Sequence, residues 1–175
     1  MVDERRWMVA YTKMHHERKV VERLKAQGIE CFAPITREVR QWSDRKKLAE
    51  HLVVSMTIFT RVNEAERLLV LQDPSVSYYM MDRATKGLAV VPEEQIRAFR
   101  LMLAGSEGPV TINPNLLAPG DLVEVMEGPL KGVVGQFANY KGKGVLSIHI
   151  EALGFASVEI SAELVRSIEK CPIGD

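Results

Sequence analysis

Between Ala118 and Phe137 the chain carries a spacing of glycine and proline that leaves few folds open. Leu122, Val123, Val125 and Met126 make a short apolar strand. Gly128-Pro129 breaks it, and Gly132 and Gly135 bracket the Val133-Val134 pair that opens the next strand. Glycine tolerates a positive φ or a close backbone approach, so glycines at these intervals suit a tight turn and a sharply bent small sheet. Short strands follow at 132–139, 145–150 and 155–160, with a last segment near Leu164–Ile168, and none of this has a helical period. Residues 118–170 therefore read as an all-β module, close to the lower size limit for independent stability.

The chain before it is mixed. Arg6–Thr12 is a strand, and from about His16 to Gln27 Val20, Val21 and Leu24 share one helical face until Gly28 stops it. Cys31–Ile35 is a short strand with Pro34 at its end, Thr36–Trp42 is extended, and Ser43-Asp44-Arg45-Lys46-Lys47 reads as a charged hairpin tip. Leu52–Val62 is the longest β-rich run. Asn63 and Glu66 form a capping box for a helix through Leu71. Val76–Met81 and Leu88–Val91 are strands around a turn. Pro92 opens a helix whose stripe is Ile96, Phe99 and Leu103, and Gly105 ends it. Residues 105–117, rich in glycine, proline and polar side chains, are the best linker in the chain. The fold class is α+β: a first domain over 6–104, a linker over 105–117, and the small β module over 118–170.

Charge divides the same way. The 23 basic and 23 acidic residues balance overall, but residues 1–60 carry 12 against 8 and residues 119–175 carry 5 against 8. A basic first third fits nucleic acid or phosphate as a partner. Cys31 and Cys171 belong to no metal or redox motif. No apolar h-region opens the chain and no run approaches a membrane span, so the expectation is a reduced, cytoplasmic protein that meets no membrane.

No constellation supports catalysis, a metal or a cofactor. His15 and His16 point different ways from a helix start, and no second ligand pair completes a site. Glu93 and Glu94 are helix neighbours that do not face each other, and no glycine-rich loop joins a strand to a helix. The basic residues carry more. Lys13, Lys19 and Arg23 lie at the start and on one flank of the first helix, and Arg37, Arg40, Arg45, Lys46 and Lys47 decorate the hairpin. They are either phosphate contacts or a solvated, ion-paired face. On the long strand Val53, Ser55, Thr57 and Phe59 alternate with Val54, Met56 and Ile58. One set faces the core; the other, beside Tyr79, is either an exposed docking patch or a second covered face. Tyr78, Tyr79, Met80 and Met81 carry the same ambiguity.

The Pro-Gly-Asp-x-Val-x-Val-x-x-Gly-Pro-x-x-Gly-x-x-Gly run resembles the KOW motif of small SH3-like barrels that ride on RNA polymerase, the ribosome or RNA. Together with Trp7, Ala33-Pro34, Val91-Pro92 and the segment order, residues 6–170 resemble the NusG family of transcription elongation factors. General members have a Phe-Pro-Gly-Tyr-like stretch entering the long strand. Here Val54-Ser55-Met56-Thr57 stands there and Met81-Asp82-Arg83-Ala84-Thr85 precedes Val-Val-Pro, closer to the UpxY-type antiterminators of Bacteroidetes capsular polysaccharide operons. The resemblance implies a non-enzymatic factor whose NusG-like domain, an antiparallel sheet with flanking helices, docks on the β′ clamp helices of RNA polymerase and bridges to the β subunit. Thr57, Phe59 and Tyr79 would form the docking patch. Lys13, Lys19 and Arg23 would face upstream or non-template DNA. Leu153 and Phe155 would meet a ribosomal protein or Rho through the KOW domain. The alternative is a KOW-type RNA-binding or ribosome-associated protein, disfavoured by an acidic module whose aromatics are Phe137, Tyr140 and Phe155.

Overall fold

A computed structural model describes residues 4–41, 43–105, 109–116 and 118–169. Along the chain the elements are β1 (Arg6–Thr12), α1 (Glu17–Ala26), β2 (Glu30–Phe32), β3 (Ile35–Gln41), β4 (Lys46–Leu52), β5 (Thr57–Val62), α2 (Glu64–Leu71), β6 (Val76–Tyr79), β7 (Val90–Val91) and α3 (Glu93–Gly105). They continue as β8 (Thr111–Asn113), β9 (Asp121–Val125), β10 (Val134–Tyr140), β11 (Lys143–Ile150), β12 (Gly154–Glu159), a 3-10 turn (Ala162–Leu164) and β13 (Val165–Glu169). By contact density the chain divides into two units, Met1–Pro34 with Val54–Ile96, and Ile35–Val53 with Arg97–Asp175.

The first unit is an antiparallel sheet in the order β2-β5-β1-β6, with β7 also on β1. Directly paired residues share a face, and the registers sort the side chains into two sets. Ala10 lies opposite both Ile58 and Tyr79, and this face meets Val20, Val21 and Leu24 of α1 in one buried cluster with Cys31, Val62 and Val70. Val9 lies opposite Phe59, and Tyr11 opposite both Thr57 and Tyr78, on the other face. There Phe59 stacks on Phe32 at 4.9 Å, and the Trp7 ring meets Phe32 edge-on at 5.5 Å. The Trp7 indole N–H donates to Glu93 Oε2 at 2.8 Å. Both faces of β5 are thus covered.

The β-rich run of 52–62 is not one strand. β4 ends at Leu52 and β5 starts at Thr57, with Met56 between them at φ 58°. The break is held from two sides. The Met56 N–H donates to Glu17 Oε1 at 2.7 Å, and its carbonyl accepts the Thr12 N–H at 2.9 Å. Periodicity could not show this, because Glu17 arrives from another element. The capping box on α2 forms in full: the Glu66 N–H donates to Asn63 Oδ1 at 2.8 Å and the Asn63 N–H to Glu66 Oε2 at 3.0 Å. On α3, Ile96, Phe99, Met102 and Leu103 are buried.

In the second unit β3 and β4 pair only with each other. Six antiparallel strands run in the order β13-β9-β10-β11-β12-β8, an open path whose ends are β13 and β8. Within the Gly/Pro-rich stretch 105–117, Thr111–Asn113 form β8 and pair with β12. Gly132 sits at φ 91°, and a Cβ on Gly135 would stand 2.6 Å from the Ser147 carbonyl oxygen, so the two glycines bracketing Val133-Val134 serve a turn and a close approach. The module has a hydroxyl pair in its interior, Ser147 Oγ to Ser157 Oγ at 2.7 Å.

Candidate protein-binding surface

The sheet's alternation decides which aromatic side chains reach solvent. Thr57, Phe59 and Tyr79, expected to form one patch, are 1%, 0% and 4% exposed. Nor do they share a face: Phe59 lies on the Val9 side and Tyr79 on the Ala10 side. The Tyr79 hydroxyl contacts Thr60 Oγ1 at 3.0 Å, Arg67 lies 6.0 Å over its ring, and burial pushes its phenol up to about 12. It is a core residue. The patch assignment is corrected by one position, because Tyr78 and not Tyr79 stands on the Thr57 and Phe59 side.

Tyr78 is 59% exposed, and its ring lies 4.8 Å from that of half-buried Tyr11, tilted by 47°. The Tyr11 phenol is raised above its ordinary value by burial and then by Tyr78, while Arg83 pulls it down. Met14, just past the end of β1, and Met56, just before β5, are exposed too. Exposed tyrosine and methionine side chains are of the types enriched in protein interfaces. Alternation through Val76–Met81 was the available signal, but β1 had to be placed between β5 and β6 before it could be phased.

Among the basic residues, Lys13 and Lys19 are exposed. Arg23 is engaged: its Nε and Nη2 donate to Asp73 at 2.9 and 2.8 Å, while Asp73 Oδ1 also accepts the Ser75 N–H at 2.9 Å. The guanidinium, and then the Ser75 N–H, hold the Asp73 carboxyl below its usual range against the opposing pull of burial. Lys13 is anchored by its backbone, whose N–H donates to the Ser75 carbonyl at 2.9 Å. His16 Nδ1 lies 2.9 Å from Ser75 Oγ. Leu153 follows β11 and is half-buried. Phe155, the second residue of β12, lies opposite His149, with ring centroids 5.1 Å apart. Among the described residues no group of three or more His, Cys, Asp or Glu is placed to hold a metal, and no helix is long and apolar enough to cross a membrane. Cys31 is buried, which pushes its thiol up to about 11; Cys171 lies outside the described residues.

Residues 5–100 match a family model described as NusG, transcription termination factor nusG. The chain belongs to the NusG family. Its fold is similar to that of Thermotoga maritima NusG in a structure of that protein's domain interaction, with a TM-score of 0.50 and 20% identity over 95% of this chain and 98% of that one. A chain of the MjSpt4:Spt5 complex, conformation A, aligns with a TM-score of 0.31 and 13% identity over 94% of this chain and 99% of that one. No curated protein matches. NusG-family proteins are transcription factors.

Proposed function

We propose that this chain is an elongation and antitermination factor that docks on the β′ clamp helices of RNA polymerase, bridges towards the β subunit and suppresses pausing. The observation that carries the reading is the Tyr11–Tyr78 pair, an exposed aromatic surface on the sheet of a NusG-family domain. Thr57 and Phe59 lie on the same sheet face and are buried, so they support this surface from the core and do not form it. Lys13 and Lys19 supply free charge for upstream or non-template DNA, with Arg23 contributing less because Asp73 neutralises it. The six-stranded module is a KOW-type SH3-like barrel, supported by its glycine spacing, and its Leu153 and Phe155 meet a ribosomal protein or Rho. The departure at Val54-Ser55-Met56-Thr57 supports a UpxY-type role in one long polysaccharide operon, in the cytoplasm.

The test is retention of RNA polymerase by the full chain. Losing an aromatic anchor at an interface commonly costs about 2 kcal/mol, or roughly thirtyfold in affinity. Tyr78→Ala should weaken binding on that scale while leaving the unfolding transition unchanged. Binding equal to the parent would move the docking face elsewhere. Transcript profiling of a deletion strain reads the operon: loss of distal genes in one long operon is expected, and a genome-wide fall in elongation would make the chain a general factor.

A further inference from the structure

We infer that a cavity on the β module is a pocket for an arginine side chain presented by a partner protein. Tyr78 plays no part in it. It also lies apart from Leu153 and Phe155, because Lys143, on its rim, begins β11 and Leu153 follows the other end of that strand.

The cavity, of about 560 Å³, opens within the second unit between the β9–β10 loop, the start of β11, the end of β12, the 3-10 turn and the last residue of α3. Clefts that bind small ligands usually measure about 300–1,000 Å³. Backbone hydrogen bonds hold its walls. The Met126 N–H donates to the Leu164 carbonyl at 2.8 Å, which ties the loop to the 3-10 turn. The Ile160 N–H donates to the Gly144 carbonyl at 3.0 Å, which ties the end of β12 to the start of β11. A guest therefore meets a pocket that is already ordered, which favours binding.

Charge and polarity select the guest. Leu130, which is buried, and half-buried Leu164 give the cavity an apolar wall, and Glu127 and Glu159 give it two carboxylates. One cation is already held there: Lys143 Nζ lies 3.2 Å from Glu159 Oε1. Glu127 is exposed and has no ion-pair partner among the described residues, so the lining is one acid in excess. The C-terminal end of α3, at Gly105, adds the partial negative charge of a helix terminus. An anionic guest is repelled. A long cationic side chain is suited, because its aliphatic stem packs on leucine while its charged head reaches a carboxylate. Arginine is suited better than lysine. Its planar fork donates two hydrogen bonds to one carboxylate, and it is more weakly hydrated than an ammonium. Arginine is also among the side chains that dominate binding at protein interfaces.

The experiment titrates the full chain with the blocked peptide acetyl-Leu-Arg-Leu-amide and follows backbone amide shifts by NMR. Matched peptides carry lysine, glutamate or uncharged citrulline in place of arginine. The arginine peptide should shift the amides of Gly144, Ser161 and Leu164 saturably, and the other three should bind more weakly. The double variant Glu127→Gln, Glu159→Gln should weaken arginine binding about tenfold. Lys143→Gln should strengthen it, because Glu159 then loses its resident cation. All three side chains are exposed, so urea unfolding should match the parent. No saturable shift, shifts centred on other residues, equal binding of any matched peptide, parental affinity in the double variant or weaker binding in Lys143→Gln would overturn the inference. Polymerase retention is read separately and should be parental in these variants. Its failure in Tyr78→Ala with peptide binding intact concerns the docking surface and leaves the pocket untouched.

Discussion

Glu17 is a buried carboxylate that holds the Met56 N–H and so fixes the turn before β5, next to the proposed docking surface. Removing the acceptor leaves a backbone donor without its partner, at a cost of about 1–3 kcal/mol. Glu17→Ala should lower stability on that scale in urea unfolding, and Glu17→Gln, which keeps an acceptor oxygen, should recover much of the loss. Asp73 adds a pH signature. Its folded pKa lies below the ordinary 3.8, so its contribution is intact above that value and disappears as pH falls through the folded pKa. The stability gap between the parent and Asp73→Asn should accordingly be present near neutrality and close in acid, as acid-titrated unfolding would show. Phe59, fully buried against Phe32, belongs with the core. Phe59→Ala should cost about 3–5 kcal/mol of folding stability, so any loss of polymerase binding in that variant follows from the fold. At this scale the sequence exposed the candidates and not their phase. Tyr78 and Tyr79 are indistinguishable by type, and only the pairing of Tyr11 with Tyr78 tells which one meets solvent.

Elements were most legible where their determinants are local. The capping box of α2 lies within four consecutive residues, and Asn63 and Glu66 bond as the spacing requires. Asn63→Ala should cost about 1 kcal/mol, measurable by thermal or chemical unfolding. The stripe of α3 and the strands of the β module follow from periods of 3.6 and 2 in the same way. The run from Leu52 to Val62 shows the opposite case: every residue suits a strand, yet a side chain from α1 interrupts it. Similarly, Thr111-Ile112-Asn113 carry too little local signal to mark β8, which exists because β12 offers an edge. Gly135→Ala tests a close approach of the second kind, since the added Cβ would meet the Ser147 carbonyl oxygen. It should destabilise the β module, which amide exchange along β10 and β11 would report.

For the whole chain, the domain reading of 6–104, 105–117 and 118–170 makes a proteolytic prediction. Limited digestion should cut first between Gly105 and β8, because the backbone of Thr111–Asn113 is paired with β12. Persistence of that stretch while cuts appear within 20–100 would count against it. The order of pairing has a further consequence for how the protein is made. β1 leaves the ribosome well before its partners β5, β6 and β7, the last joining through Trp7↔Val91. At about 5–20 residues per second, the interval between synthesis of Trp7 and its partner is on the order of 4–17 s. Val9 and Ala10 meet β5 part-way through that interval, but Trp7, destined for burial, lacks its second strand partner until Val91 is made. Nascent chains of this protein should be most vulnerable to misassociation, and most dependent on holding chaperones, until Val91 has emerged.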